Sequence, residues 1–294
     1  MSNLAAPDQP GWRDLLWRPL VDAALDRAPR SEVFQRHARS FPAALVEAET
    51  QAGHARAFGF AVDDGWIERR VICESLDRHD NFARLLRRPL ATRQRLEVQG
   101  EWPNGVFVAL GLHWGAGFPA LEHLLLSQRQ PAFVYLAEPE AALNQRARRL
   151  YDRLHLRALN GFGHTIPVGG AYQRIKQALV AGRIPVVLFD APPQPGSSRL
   201  SLHRDGFDIA LRRGILGLIA KRQIPYVFFR CGWRPGQARR VLEISSPRQS
   251  SALEDVAAAA GDFLLDSLRL DGAQWHLWPV ASELLRAAAK REET

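Results

Sequence analysis

A nearly continuous apolar run in the middle of the chain limits the possible folds more than any other feature. Gly105-Val-Phe-Val-Ala-Leu-Gly-Leu112 carries no charged side chain and ends on His113. Such a strand has no polar face to offer water, so it suits a parallel sheet covered on both sides. Shorter runs of the same kind follow: Ala132-Phe-Val-Tyr-Leu136, His164-Thr-Ile-Pro-Val168, Ile184-Pro-Val-Val-Leu-Phe189 and Pro225-Tyr-Val-Phe-Phe229. Leu96 to Val98 and Arg240 to Ile244 read as further strands. Helical spacing covers Glu140 to Leu159, Ala171 to Ala181, Ile209 to Arg222 and Leu253 to Leu270. Ala191-Pro-Pro-Gln-Pro-Gly-Ser-Ser198 reads as a loop. Strands alternating with helices predict an α/β fold with a mostly parallel central sheet flanked by helices.

Upstream of Arg95 the pattern is helical. Gly11 to Arg27 gathers Trp12, Leu15, Leu16 and Leu20 on one face, with Pro19 as a break. This segment either docks on the protein's own core or lies at a membrane interface through Trp12 and Trp17. Ser31 to Phe60, interrupted at Pro42, and Trp66 to Leu86 read as further helices. The expected organisation is one domain over residues 1–294. Residues 1–94 form its helical N-terminal region and 95–279 its α/β core. A chain of 294 residues, 46% hydrophobic, can bury a full core without staples. Two cysteines, Cys73 and Cys231, cannot make a disulfide framework or a four-cysteine zinc site, so a reducing compartment is expected.

The formal charge is +8, and all but three of the 39 basic residues are arginines. Such a surface favours anionic lipid, nucleic acid or acidic proteins. The nucleic-acid reading has charge alone behind it, with no finger or aromatic RNA-binding motif, and nucleic acid is not an expected partner. Met1 to Pro10 is polar and lacks a secretory apolar region. The uncharged stretch Pro103 to Leu121 holds four glycines and two prolines, and reads as strand and turn instead of a membrane span.

In open α/β sheets, functional groups gather where strands end. His113 leaves the central run into the glycine-rich turn Trp114-Gly115-Ala116-Gly117, and Asp190 ends Val187-Leu-Phe-Asp190. A histidine with a free ring nitrogen can act as a general base at neutral pH. The chain has no Gly-x-Ser-x-Gly elbow and no phosphate-binding Walker loop. Gly161-Phe-Gly163 lacks the third glycine of a dinucleotide loop, and no histidine pair has zincin spacing. No metal site and no bound cofactor are expected.

The order of these pieces resembles the lysophospholipid acyltransferase superfamily, within it the branch of bacterial late lipid A (lauroyl/myristoyl) acyltransferases. Val106 to Gly117, Ala171 to Asp190, Gly206 to Phe229 and Asp255 to Trp278 are similar to successive blocks of that family, with Gln274-Trp275 in its closing segment. The resemblance implies transfer of an acyl chain from acyl carrier protein or coenzyme A thioesters to a hydroxyl of a lipid or glycolipid. It implies a dyad in which an acid five positions after the histidine orients the ring. Here Phe118 occupies that position, Leu136 stands where many relatives carry arginine, and Ala191 follows Asp190 where relatives show glutamine.

The expected activity is therefore acyl transfer with His113 as base, oriented by Glu122 or Asp190. Trp114, Gly115, Arg199 and Arg204 are the expected substrate contacts, the arginines on an anionic head group or the donor's phosphopantetheine. Acyl carrier protein and a membrane surface are the expected partners, with the protein peripheral on the cytoplasmic face of the inner membrane. The alternative is a catalytically degenerate relative that binds acyl chains or a partner protein.

Overall fold

The computed structural model of the chain describes residues 42–85, 96–115, 117–127, 131–135, 164–167, 171–192, 198–233 and 240–287. Two helices, α1 (Pro42–Ala57) and α2 (Trp66–Leu85), precede the first strand. The expected helix Gly11 to Arg27, with Trp12 and Trp17, lies outside the described residues, and so does Glu140 to Leu159. The main sheet is built from β1 (Leu96–Gln99), β2 (Val108–Gly111), β3 (Pro131–Tyr135), β4 (His164–Pro167), β5 (Ile184–Leu188), β8 (Tyr226–Trp233) and β9 (Arg240–Ile244). These seven strands lie in the order β1-β9-β8-β2-β5-β3-β4. Every neighbouring pair is parallel except β8 with β9. The sheet is thus mostly parallel and flanked by helices, as the apolar runs predict.

β2 occupies the middle of the sheet and is buried at every position. Its alternate side chains feed two apolar layers. Val108 and Leu110 pack with the stripe of α6 (Leu253–Asp271), and Ala109 packs with Leu124 of α3 (Phe118–Leu126). Gly111 is the last residue of the strand, and a Cβ there would sit 2.5 Å from the Phe229 ring, so the position needs glycine. On α6, Val256, Ala260, Leu264 and Leu268 recur at helical spacing and are fully or almost fully buried. Each leucine there contributes roughly 1.5–3 kcal/mol relative to exposure. Glu254 and Asp255 in its first turn and Arg269 in its last complement the helix dipole. Ala52, Ala55 and Trp66 join the same apolar layer, so α1 and the start of α2 are packed on the α/β core.

The structure departs from the sequence reading after Ser198. Ile209 to Arg222 is not one helix. Arg199–Arg204 (β6) and Phe207–Arg212 (β7) form an antiparallel hairpin, and the helix, α5, starts at Arg213 and ends at Arg222. The hairpin turn is Asp205-Gly206, with φ of 48° and 79°, the paired left-handed conformation that a two-residue loop needs. β10 (Leu285–Ala287) pairs with β7 to complete a separate three-stranded sheet. The remaining helices are α4 (Ala171–Val180) and α7 (Ala281–Leu284), with short 3-10 turns at Gly272–Gln274 and Trp278–Val280. Among the described residues, no helix is long and apolar enough to cross a membrane.

Candidate active site

The parallel register of two adjacent strands builds the site. β2 and β5 pair Gly111 with Leu188, and Phe189 N–H donates to the Gly111 carbonyl. Two residues beyond that pair, His113 and Asp190 fall side by side. Asp190 is fully buried and accepts three hydrogen bonds. Its Oδ1 lies 2.8 Å from His113 Nδ1. Its Oδ2 accepts from the backbone N–H of His113 at 2.9 Å and from Trp275 Nε1–H at 2.8 Å. With Nδ1–H given to the carboxylate, Nε2 retains its lone pair. Nε2 has no hydrogen-bond partner among the described residues, and the ring is 30% exposed. This arrangement can remove a proton from a group that docks beside it.

A second strip of chain frames the dyad. Gly115 N–H donates to the Gln274 carbonyl at 2.8 Å, and His276 N–H donates to the His113 carbonyl at 2.9 Å. Trp114 and Trp275 face each other in the bridge between them. Gly115 has φ of 54°, and a Cβ there would meet Cys231 O and Gly232 Cα at 2.6 Å, so only glycine fits. His276 Nε2–H donates to Gly115 O at 2.7 Å, while its Nδ1 accepts from Arg70 Nη2 at 3.0 Å. Burial, with Arg70 adding to it, pushes the His276 pKa down to about 3. That ring is therefore a neutral strut with a fixed tautomer. Arg70, buried on α2, also donates to Ala273 O and Trp275 O at 3.1 Å and pairs with Glu74 at 2.7 Å. Gln274 clasps the backbone of Trp233 at both its N–H and its carbonyl. Cys73, beneath this strip, has its thiol pushed up to about 12 by burial, which disfavours the thiolate.

Of the residues singled out in the sequence, His113 and Asp190 meet. Glu122 lies buried on α3, one turn past the helix start at Phe118, while Nδ1 of His113 is occupied by Asp190. Trp114 is 3% exposed and borders a cleft of about 460 Å³, together with Arg230, Trp233, Glu243 and Asp271. His113 is not part of that lining. Gly115 is held by protein contacts on both sides, as described above. Arg199 is exposed at the start of β6, and Arg204 pairs with Asp262 at 3.2 Å. Both belong to the three-stranded sheet, separate from the sheet whose strands carry the dyad. No group of three or more potential metal ligands occurs among the described residues.

Trp275, His276 and Arg70 have no role in the sequence reading. The strip Gln274-Trp275-His276 lies within the segment Asp255 to Trp278 singled out in the sequence, but its partners are far away along the chain. His276 and Gly115, for example, are 161 positions apart. No protein-family model matches the chain, and no curated protein matches it significantly.

Proposed function

We propose that the chain is an acyltransferase that moves a fatty acyl group from an acyl carrier protein or coenzyme A thioester to a hydroxyl of a lipid or glycolipid. The observation that carries this reading is the 2.8 Å contact of His113 Nδ1 with buried Asp190, which leaves Nε2 open at a strand end. In the reaction, Nε2 takes the acceptor hydroxyl's proton as its oxygen attacks the thioester carbonyl carbon. The tetrahedral intermediate collapses with cleavage of the C–S bond, and the imidazolium returns the proton to the leaving thiolate. Asp190 holds the ring in the productive tautomer and favours the transient imidazolium. The acid missing at Phe118 is in this reading supplied from β5. Neither donor nor acceptor requires a bound cofactor.

The net charge of +8 suits both an acidic carrier protein and an anionic bilayer surface, and the protein works as a peripheral enzyme on the cytoplasmic face. Binding without catalysis is the second reading. It is favoured by one observation, the cleft lined by Trp114 and not by His113. The deciding experiment incubates the protein with acyl-carrier-protein and coenzyme A thioesters and a panel of lipid and sugar acceptors, followed by mass spectrometry. Acceptor-dependent thioester loss that disappears in His113→Ala supports the enzyme. Thioester binding without turnover supports the second reading.

A further inference from the structure

We propose that Trp275 is a positioning residue for the dyad, a role that rests on reading His113 as the base. Its indole N–H fixes the Asp190 carboxylate in the one orientation that keeps the proton on Nδ1 of His113. A carboxylate held at a single oxygen can rotate about its last side-chain bond. Here Oδ2 is held twice, by the indole and by the backbone N–H of His113, so Oδ1 is left facing the ring. The backbone donor comes from the same residue as the ring and moves with it. The indole is the independent reference point.

Trp275 is itself immobilised. It is fully buried, and its ring meets Trp278 edge-on with centroids 4.9 Å apart. Its carbonyl accepts from Arg70 Nη1, and its backbone is bridged to Trp114. A donor fixed on three sides, aimed at a buried carboxylate, transmits the position of the C-terminal strip to the base. The consequence is chemical. A free imidazole in water favours the tautomer protonated on Nε2, and that form has no lone pair on the open side of the ring. Asp190 selects the other tautomer only while its carboxylate stays in place.

The test uses the full chain with nitrogen-15-labelled histidine, in which the ring-nitrogen shifts of His113, assigned against His113→Gln, report the tautomer. Trp275→Phe removes the donor and keeps an aromatic ring. Replacement of Trp275 by benzothienylalanine keeps the bicyclic shape and removes only the N–H. The expected result is a neutral ring protonated on Nδ1 in the unmodified protein and a mixture of tautomers in both variants. In the acyl-transfer assay the variants should lose about 10- to 100-fold in kcat with KM unchanged, the effect typical of a lost supporting hydrogen bond. Folded variants with an unaltered His113 tautomer would overturn the proposal. So would an isostere that cannot fold, since the indole would then be structural. A tautomer change in chains that consume no thioester supports the positioning role and rejects acyl transfer alone.

Discussion

Arg70 Nη2 lies 3.0 Å from His276 Nδ1, tying helix α2 to the strip that frames the dyad across 206 positions of sequence. The guanidinium also serves two backbone carbonyls of that strip and Glu74. Its planar fork reaches groups that a single ammonium cannot reach together.

Removing the Arg70 side chain leaves Ala273 O and Trp275 O without this donor and breaks the 2.7 Å ion pair with Glu74. Arg70→Met is expected to destabilise the fold by about 3–5 kcal/mol, the range for breaking a buried charged network. Arg70→Lys should recover only part of that loss. Urea unfolding of the three proteins at neutral pH checks the order. Equal stability of wild type and Arg70→Met would show that α2 does not brace the site.

His276 sets a pH dependence of defined sign. Its folded pKa is about 3, depressed by burial and Arg70, against about 6.5 in the unfolded chain. Between those values the unfolded chain binds a proton that the native protein does not. Stability is therefore fully present above about pH 6.5 and falls as the pH drops toward 3, by up to ~1.4 kcal/mol per pH unit for this group. The His276 share is the difference in slope between wild type and His276→Gln, read from urea midpoints between pH 4 and 7. Parallel slopes would mean that the neutral strut contributes nothing to acid sensitivity.

His113→Ala should lower acyl transfer by about 10²- to 10⁴-fold, the range for loss of a general base, with the far-UV spectrum unchanged. The side chain is 30% exposed, so its removal opens little of the core. Full activity in the variant would remove the base assignment.

Gly115 tests how tightly the turn is built. Gly115→Ala places a Cβ 2.6 Å from Cys231 O and Gly232 Cα while φ stays at 54°. The left-handed backbone alone costs a non-glycine residue about 1–2 kcal/mol, and the close backbone contact adds to it. The expected variant is less stable by more than 2 kcal/mol on that reckoning and has a displaced His113. Thermal unfolding together with the transfer assay measures both effects, and an unchanged melting temperature would contradict the geometry.

The central strands and the two polar groups at their ends are legible in the sequence, because a strand buried on both faces must be apolar throughout. β2 and β5 show this, and His113 and Asp190 stand out where each run stops. The β6–β7 hairpin is not read correctly. Ile209, Leu211, Ile215, Leu216 and Ile219 continue one apolar pattern across a boundary between strand and helix, and Arg212 and Arg213 give no breaker there. The decisive signal is Asp205-Gly206, a turn pair whose left-handed conformations fit a hairpin and no helix. The links from Asp190 to Trp275 and from Arg70 to His276 are illegible for a different reason. They depend on which segments pair in space, and periodicity along the chain carries no information about that.

Glu122 and Asp190 remain alternatives in the sequence, and geometry separates their expected effects. Asp190 Oδ1 occupies His113 Nδ1 at 2.8 Å, and an imidazole nitrogen with one proton makes one such bond. Glu122, one helical turn beyond the start of α3, is buried beside that element's apolar residues. Asp190→Asn presents an amide that can turn its NH₂ toward Nδ1 and so favours the wrong tautomer. A loss of about 10⁴-fold in kcat is the precedent for that change in a triad. Glu122→Gln keeps the shape of the side chain and leaves the dyad intact, so its kcat should stay within a few-fold of wild type, with any cost appearing in stability. Steady-state rates of the two variants at one pH decide the matter. A larger loss in Glu122→Gln than in Asp190→Asn would move the orienting role from β5 to α3.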